Sequence, residues 1–320
     1  MNIIDFAPQH IDAACIIARE NYNEERGFVP ALPDINDMPD LSWFAENKLG
    51  VAALEGDMLV GFLCAVGPIE RPFQIDNLLG AYVPLHAHGS AAHNRAGIYA
   101  AMYEVAAVKW LRTGMSNHAI TLYAHDEAAR TQFLQYRFAY HGIDAIREIT
   151  TAGFTGAVGF TFTELYPHEF EQLLPLHDLM QEHFRKSPIF INFPSVGTDG
   201  FRQINERQKP RYFVVKTEKR LVAFIKLSKH GETFFSGSPD MRNICGAYCL
   251  PEYRGTGLYR ELLNFAAKKL RTEGIMRLGV DFESFNPNAY GFWLKHFTAY
   301  THSVVRRIDE YAVGDFGGVL

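Results

Sequence analysis

The chain says much of itself twice. Gly80-Ala81-Tyr82 returns as Gly246-Ala247-Tyr248, and Gly97-Ile98-Tyr99 returns as Gly257-Leu258-Tyr259. The stretch FLQYRFAYHGIDAIREI at 133–149 is matched by FWLKHFTAYTHSVVRRI at 292–308. A repeat this long constrains the fold more than any local propensity, because both copies must build the same supersecondary unit. Each copy reads as strand, helix, hairpin, strand, loop, helix, strand, short helix and closing strand, an α/β (α+β) plan with a mixed sheet. The expected domains are 1–149 and 160–320, joined by a small-residue linker at 150–159 (TTAGFTGAVG).

In the first copy, Asn2–Phe6 reads as a strand and Pro8–Arg26 as a helix with proline in its first turn. A hairpin runs from Gly50–Glu55 to Met58–Val66 across Gly56-Asp57. Strand Gln74–Val83, helix Gly97–Thr113, strand Ala119–Ala124, helix Ala128–Tyr136 and strand Tyr140–Ile149 complete it. The second copy opens with strand Phe160–Leu165 and helix His168–Lys186, then a loop at Pro188–Thr198. The hairpin Arg211–Lys216 to Arg220–Leu227 comes next.

The chemistry concentrates in Asn243 to Ala267, NICGAYCLPEYRGTGLYRELLNFAA. Here a strand gives way to a proline-started turn, a glycine-punctuated loop and a helix. Gly255 and Gly257 leave the backbone amides around Arg254–Leu258 unshielded at a helix N-terminus. Unpaired N–H groups and the positive end of the helix dipole favour phosphate oxygens there. Leu258, Leu262, Ala266 and Leu270 recur at four-residue spacing, so the helix is amphipathic. A glycine-rich turn alone is equally the mark of an ordinary strand-to-helix loop. The downstream order narrows the choice: strand Arg277–Phe282, then Asn286-Pro287-Asn288-Ala289 opening a short aromatic helix, then a final extended run from Tyr300 to Ile308.

In this order the chain resembles the GNAT acetyltransferase family, as two tandem GNAT-like acyl-CoA N-acyltransferase domains. The resemblance implies that Arg254, Gly255, Thr256, Gly257 and Leu258 bind the pyrophosphate of acetyl-CoA. Tyr259 stands where the family carries a small residue. It also implies that the strand end Tyr248, Cys249 and Leu250 offers backbone bonds to pantetheine and to the acetyl carbonyl, with Asn286 on the other side of the cofactor. The family's frequent general acid, a tyrosine, is replaced by Trp293, whose indole exchanges no proton near neutral pH. Tyr290, one turn earlier, is a candidate substitute or a packing residue. Asp281 and Glu283 alternate along one strand and share a face, so either is a candidate base or a solvent-facing carboxylate. Ser187–Phe201 is expected to line the acceptor side.

The first copy departs from this pattern. Its loop is longer by six residues (17 positions from Gly80 to Gly97 against 11 from Gly246 to Gly257), which fall in VPLHAHGSAAHNRAG; Asn94-Arg95-Ala96-Gly97 keeps one glycine, and Asp126 stands where the second copy has Asn286. The first domain is therefore expected to be degenerate and the cofactor to sit in the second. The insertion's His86, His88 and His93 have no carboxylate or cysteine spaced to complete a zinc site, and no metal is expected.

A formal net charge of −5 with 48% hydrophobic residues excludes a nucleic-acid or anionic-membrane partner held by bulk electrostatics. No apolar run reaches membrane-span length and the start lacks a signal-peptide plan, so a cytoplasmic location is expected. Cys15, Cys64, Cys245 and Cys249 show no CxxC spacing and read as reduced thiols. The function expected is acetyl-CoA-dependent transfer to the amine of a small molecule, with a homodimer left open. The alternative is a non-catalytic GNAT-like module that binds acyl-CoA or another ligand.

Overall fold

A computed structural model of the chain describes residues 1–72, 78–150, 153–194, 196–309 and 311–312. In chain order the first copy contains β1 (Asn2–Asp5), α1 (Ile11–Phe28), α2 (Ser42–Glu46), β2 (Val51–Glu55), β3 (Met58–Leu63), β4 (Val66–Glu70), β5 (Leu79–Val83) and β6 (His88–Ser90). It continues with α3 (Arg95–Arg112), β7 (Met115–Tyr123), α4 (Glu127–Gln135) and β8 (Ala139–Glu148). The second copy contains β9 (Thr161–Leu165), α5 (Leu174–Arg185), α6 (Gly197–Gln208), β10 (Arg211–Lys216), β11 (Leu221–Ser228) and β12 (Met241–Cys249). It ends with α7 (Leu258–Thr272), β13 (Arg277–Glu283), α8 (Pro287–Trp293), β14 (Thr298–Ala299) and β15 (Thr301–Arg307).

The expected elements are present, with differences that have local causes. The first part of the expected strand Gln74–Val83 lies outside the described residues. The helix expected over His168–Lys186 is a 3-10 stretch, Pro167–Leu173, followed by α5, because Pro175 in the first turn of α5 brings no N–H and restarts the helix. Strand Met58–Val66 breaks after Leu63, where the Cys64 amide bonds the Ala87 carbonyl at 2.8 Å. Strand β7 begins at Met115, four residues earlier than Ala119, and is buried along its whole length. Its polar Ser116, Asn117 and His118 hide that burial from a hydropathy reading. Helix α6 starts within the expected loop and buries Phe201 and Asn205, one turn apart.

The chain packs as two compact units, Met1–Ile143 with Ala299–Leu320, and Asp144–Thr298. The repeat divides the chain near residue 150, whereas packing assigns the last strand, β15, to the first unit. There β15 lies antiparallel to β7, from Thr301 opposite Tyr123 to Arg307 opposite Asn117, and also pairs β8 at Ser303 opposite Gly142. Val304 is fully buried in a core with Leu122, Phe133 and Phe138. A second, antiparallel sheet in this unit runs β1-β2-β3-β6. Its neighbour α3 is anchored by Trp110, whose indole N–H donates to the Leu49 carbonyl at 2.9 Å.

In the second unit the strand order is β13-β12-β11-β10-β9. β9 to β12 are antiparallel, while β12 and β13 are parallel. Leu258, Leu262, Leu263, Ala266 and Leu270 of α7 are buried. Fully burying a leucine is worth about 2 kcal/mol, so this one stripe fixes α7 firmly. α5 packs against β11 and β12.

Candidate active site

The site begins where β12 and β13 part. Their parallel pairing runs from Met241 opposite Arg277 to Ile244 opposite Val280 and stops there. On its other edge β12 stays paired with β11 as far as Cys249, with a bulge at Lys226/Leu227. The Leu250 amide bonds Val222 on β11 at 3.0 Å. Backbone groups alternate sides along a strand, so the polar groups of Cys249 face the gap. The Cys249 carbonyl accepts from Arg254 Nε at 2.9 Å on that side.

After Pro251 the chain makes a 3-10 turn to Tyr253, and Gly255 and Gly257 take φ of 75° and 88°. Glycine adopts these left-handed values without the clash a Cβ brings. Gly257 is the N-cap of α7, and among the described residues the amides of Gly255 and Gly257 meet no acceptor. Thr256 braces the turn by donating to the Tyr253 carbonyl at 2.8 Å and accepting from the Leu258 amide at 3.3 Å. These amides open on a cleft of about 610 Å³.

Tyr248, Cys249, Arg254, Gly255, Gly257 and Asn286 line that cleft together. The Arg254 guanidinium lies over the Tyr248 ring, 5.3 Å from its centroid. Asn286 caps α8 by accepting from the Ala289 amide at 3.3 Å. Tyr259 lines the cleft too and is tied to its walls. Its hydroxyl donates to the Phe224 carbonyl at 3.0 Å, and its ring packs edge-on to Phe292 and Trp293. Leu250 and Leu258 are buried, so their side chains support the site from behind.

The candidate proton-transfer groups are distributed differently. Asp281 and Glu283 are outside the lining of the cleft. Burial first, then the charges of Asp144, Glu232 and Glu283, push the Asp281 carboxyl up to about 8. Burial also raises Glu283. Tyr290 is half exposed on α8 and likewise outside the lining. Reading the sequence missed His183, on the last turn of α5. Its ring lines the cleft 6.4 Å from that of Tyr248, with Asn286 also on the cleft wall. Burial, then the nearby Arg254 charge, lower its pKa, so the imidazole is neutral near pH 7 and able to take a proton. Also missed were Arg260 and Lys295, cations on the cleft wall. No sequence pattern marks His183.

The equivalent place in the first unit is filled. Alignment of Gly97 with Gly257 sets Arg95 opposite Gly255. The Arg95 guanidinium reaches Asp126 at 3.5 Å and Glu24 at 2.8 Å, and about 20 Å³ of space remains around them. Beside it the buried Glu25 carboxylate accepts from the His125 amide and ring at 3.1 and 2.8 Å. Tyr99, matching Tyr259, is buried with its hydroxyl on His88 Nδ1. The three insertion histidines go separate ways: His88 inward, His86 edge-on to Phe44, and His93 to Glu55 at 3.3 Å.

The sequence profile of the Acetyltransferase (GNAT) family matches residues 174–297, the span that holds the cleft, its loop and both flanking helices. This segment is a GNAT domain. No curated protein sequence matches the chain. Among solved structures, a GCN5-related N-acetyltransferase from Sphaerobacter thermophilus superposes over 95% of this chain and 95% of its own, at 12% identity and TM-score 0.58. The glucosamine N-acetyltransferase region of a fungal multi-domain GH3 β-N-acetylglucosaminidase covers 95% of this chain and 38% of that one, at 11% identity and TM-score 0.52. A tandem GNAT protein from the clavulanic acid biosynthesis pathway covers 96% and 98%, at 12% identity and TM-score 0.47. At these identities the shared property is the fold, and it extends beyond the GNAT segment to nearly the whole chain. The architecture is α/β with two GNAT-like domains in tandem. Among the described residues no helix is long and apolar enough to cross a membrane.

Proposed function

We propose that this protein is an acetyl-CoA-dependent N-acetyltransferase acting on the amine of a small molecule, with the cofactor held by the second unit. The observation that carries the reading is the pair of left-handed glycines at the N-terminus of α7, whose amides face the cleft at the point where β12 and β13 diverge. The residues fit the group. The amides of Gly255 and Gly257 with the α7 dipole suit a pyrophosphate, and Arg260 and Lys295 suit its remaining charge. The edge of β12 that β13 has left offers backbone bonds to an extended amide-bearing arm, the Cys249 carbonyl being already held by Arg254. Acetyl-CoA supplies the acyl group as an activated thioester.

The chain's own residues then have three tasks. His183, neutral and on the α5 wall, accepts the proton of the incoming ammonium or amine. Asn286 closes the cleft beside the imidazole, its side-chain oxygen committed to the Ala289 amide. Backbone N–H groups of β12 stabilise negative charge that builds on the acyl oxygen. The first unit's cleft, closed by Arg95, Glu24 and Asp126, is assigned no cofactor. A non-catalytic reading rests on Trp293, which is buried against Tyr259 and Phe297 where an exchangeable hydroxyl is otherwise expected.

Calorimetric titration of acetyl-CoA separates these. Wild type is expected to bind at one site per chain in the micromolar range, about −8 kcal/mol. Gly257→Trp, which places a large side chain at φ 88°, and the charge reversal Arg260→Glu are both expected to abolish or strongly weaken binding. No binding by wild type, or binding untouched by both variants, sinks the reading. Binding without thiol release over a broad amine panel favours the non-catalytic module.

A further inference from the structure

A second cavity, about 140 Å³, lies in the second unit on the sheet face covered by α5 and α6. Leu173, Met180, Phe201, Ile204 and Phe224 give it apolar walls, and Lys226 projects from β11. Met180 lines both this cavity and the cofactor cleft. Of the consecutive β12 residues, Gly246 lines the cavity and Ala247 the cleft. A guest here is therefore one side chain from the cleft, and the adaptable thioether of Met180 stands between.

Lys226 carries the one charge among the described residues lining the cavity. Tyr212 donates to Asn205 Oδ1 at 2.9 Å, and Asn205 Nδ2 donates to the Phe201 carbonyl at 2.8 Å. His177 is held neutral by burial, and burial pushes the Cys245 thiol up to about 11, so both are uncharged near pH 7. Lys226 donates to the neutral Gln208 Oε1 at 2.7 Å, and among the described residues it forms no ion pair. Its stem lies along Gly246, where a Cβ would come within 3.2 Å of Lys226 Cβ and 3.4 Å of Cδ. Glycine at that bulge lets the lysine lie flat and reach the cavity. A half-buried ammonium whose partner is a neutral amide still lacks a counter-charge, and an anion placed beside it gains more than it would in bulk water.

We propose that this cavity is the acceptor site and that the acceptor is a small amine of amino-acid type, with an apolar side chain in the cavity and a carboxylate on Lys226. The proposal rests on the transferase reading for the word acceptor, while the occupant follows from the cavity itself. One ammonium calls for one negative charge, which fits a carboxylate. Apolar cavities of about 150 Å³ accept a benzene-sized guest, the scale of a leucine or phenylalanine side chain.

The test uses the full chain and two probes, L-leucine and 3-methylbutylamine, the same molecule without its carboxylate. Calorimetry is expected to show leucine binding at least tenfold tighter than the amine. Lys226→Met is expected to weaken leucine at least tenfold and to change the amine less than twofold, with Lys226→Arg retaining most of the leucine affinity. Ile204→Trp, which fills the cavity and leaves the lysine, is expected to weaken both probes. Equal affinity for the two probes, leucine binding indifferent to Lys226→Met, or no binding of either probe to wild type overturns the proposal. Acetyl-CoA titrated into the same proteins, followed by a thiol-release assay with leucine, reads the cofactor site separately: binding survives if the acceptor assignment alone is wrong, whereas no binding, or binding without thiol release to any amine, sinks the transferase reading.

Discussion

Replacing Asp281 by asparagine is expected to make the second unit more stable, and the size of the gain follows from the carboxyl's surroundings. Burial, Asp144, Glu232 and Glu283 hold the folded carboxyl up to about 8, against 3.8 when unfolded. A raised folded pKa means that the group's stabilising contribution is complete below 3.8 and is lost as pH rises toward 8. At pH 7 the unfolded chain has released this proton and the folded chain keeps it, so folding must take it up. The gap between pH 7 and 3.8 is roughly three pH units at about 1.4 kcal/mol each, or ~4 kcal/mol. An asparagine there has the same shape with no proton to bind, so Asp281→Asn should stabilise by ~4 kcal/mol at pH 7 and by almost nothing at pH 4. Hydrogen exchange of the β13 amides, in wild type and variant at both pH values, reads this unit by itself. A variant equally stable at pH 7, or a difference that does not shrink on acidification, refutes the reasoning. If Asp281 also moves a proton in the reaction, the same variant loses turnover while gaining stability.

Four further outcomes are expected. Arg95→Ala leaves Asp126 and Glu24 without their shared guanidinium and should destabilise the first unit by about 3 kcal/mol in urea, with acetyl-CoA affinity unchanged; a loss of affinity would put the cofactor in the wrong unit. His183→Gln should lower kcat by roughly 10² or more without weakening acetyl-CoA. In wild type kcat should fall as pH drops through a value below 6.5, since burial and Arg254 depress this imidazole, and a flat profile from pH 8 to 5 would remove His183 from the mechanism. His88 and His118 each accept from a tyrosine hydroxyl at Nδ1 and donate from Nε2 to a carbonyl, and burial lowers both to about 4. Each should stay a neutral Nε2–H tautomer at pH 5 by nitrogen NMR, each withdrawing about 2 kcal/mol of stability there relative to pH 7; a charged ring at pH 6 contradicts these bonds.

What the sequence reveals and what it hides depend on the range of the forces involved. The glycine pair, the α7 stripe and the asparagine opening α8 are legible because each is set by local backbone geometry: a left-handed φ, a 3.6-residue period, an N-cap. The two copies are legible because order survives when identity fades. His183, Met180 and Lys226 leave no local mark, since their importance comes from which helix covers which strand. The same holds for β15, whose place beside β7 is fixed by packing around Val304. The contrast between the copies is sharpest at one pair of positions. Aligned on Gly97 and Gly257, position 95 against 255 is an arginine against a glycine, a difference a linear reading registers as one lost glycine. In three dimensions that arginine, seated on Asp126 and Glu24, fills the first unit's counterpart of the space that glycine leaves open in the second. Loss of a binding site here is the gain of a partly buried ion cluster, so mutating the loop of the first copy to glycine without also removing Glu24 and Asp126 would leave two carboxylates, Asp126 buried and Glu24 at the surface, facing the phosphates it was meant to bind.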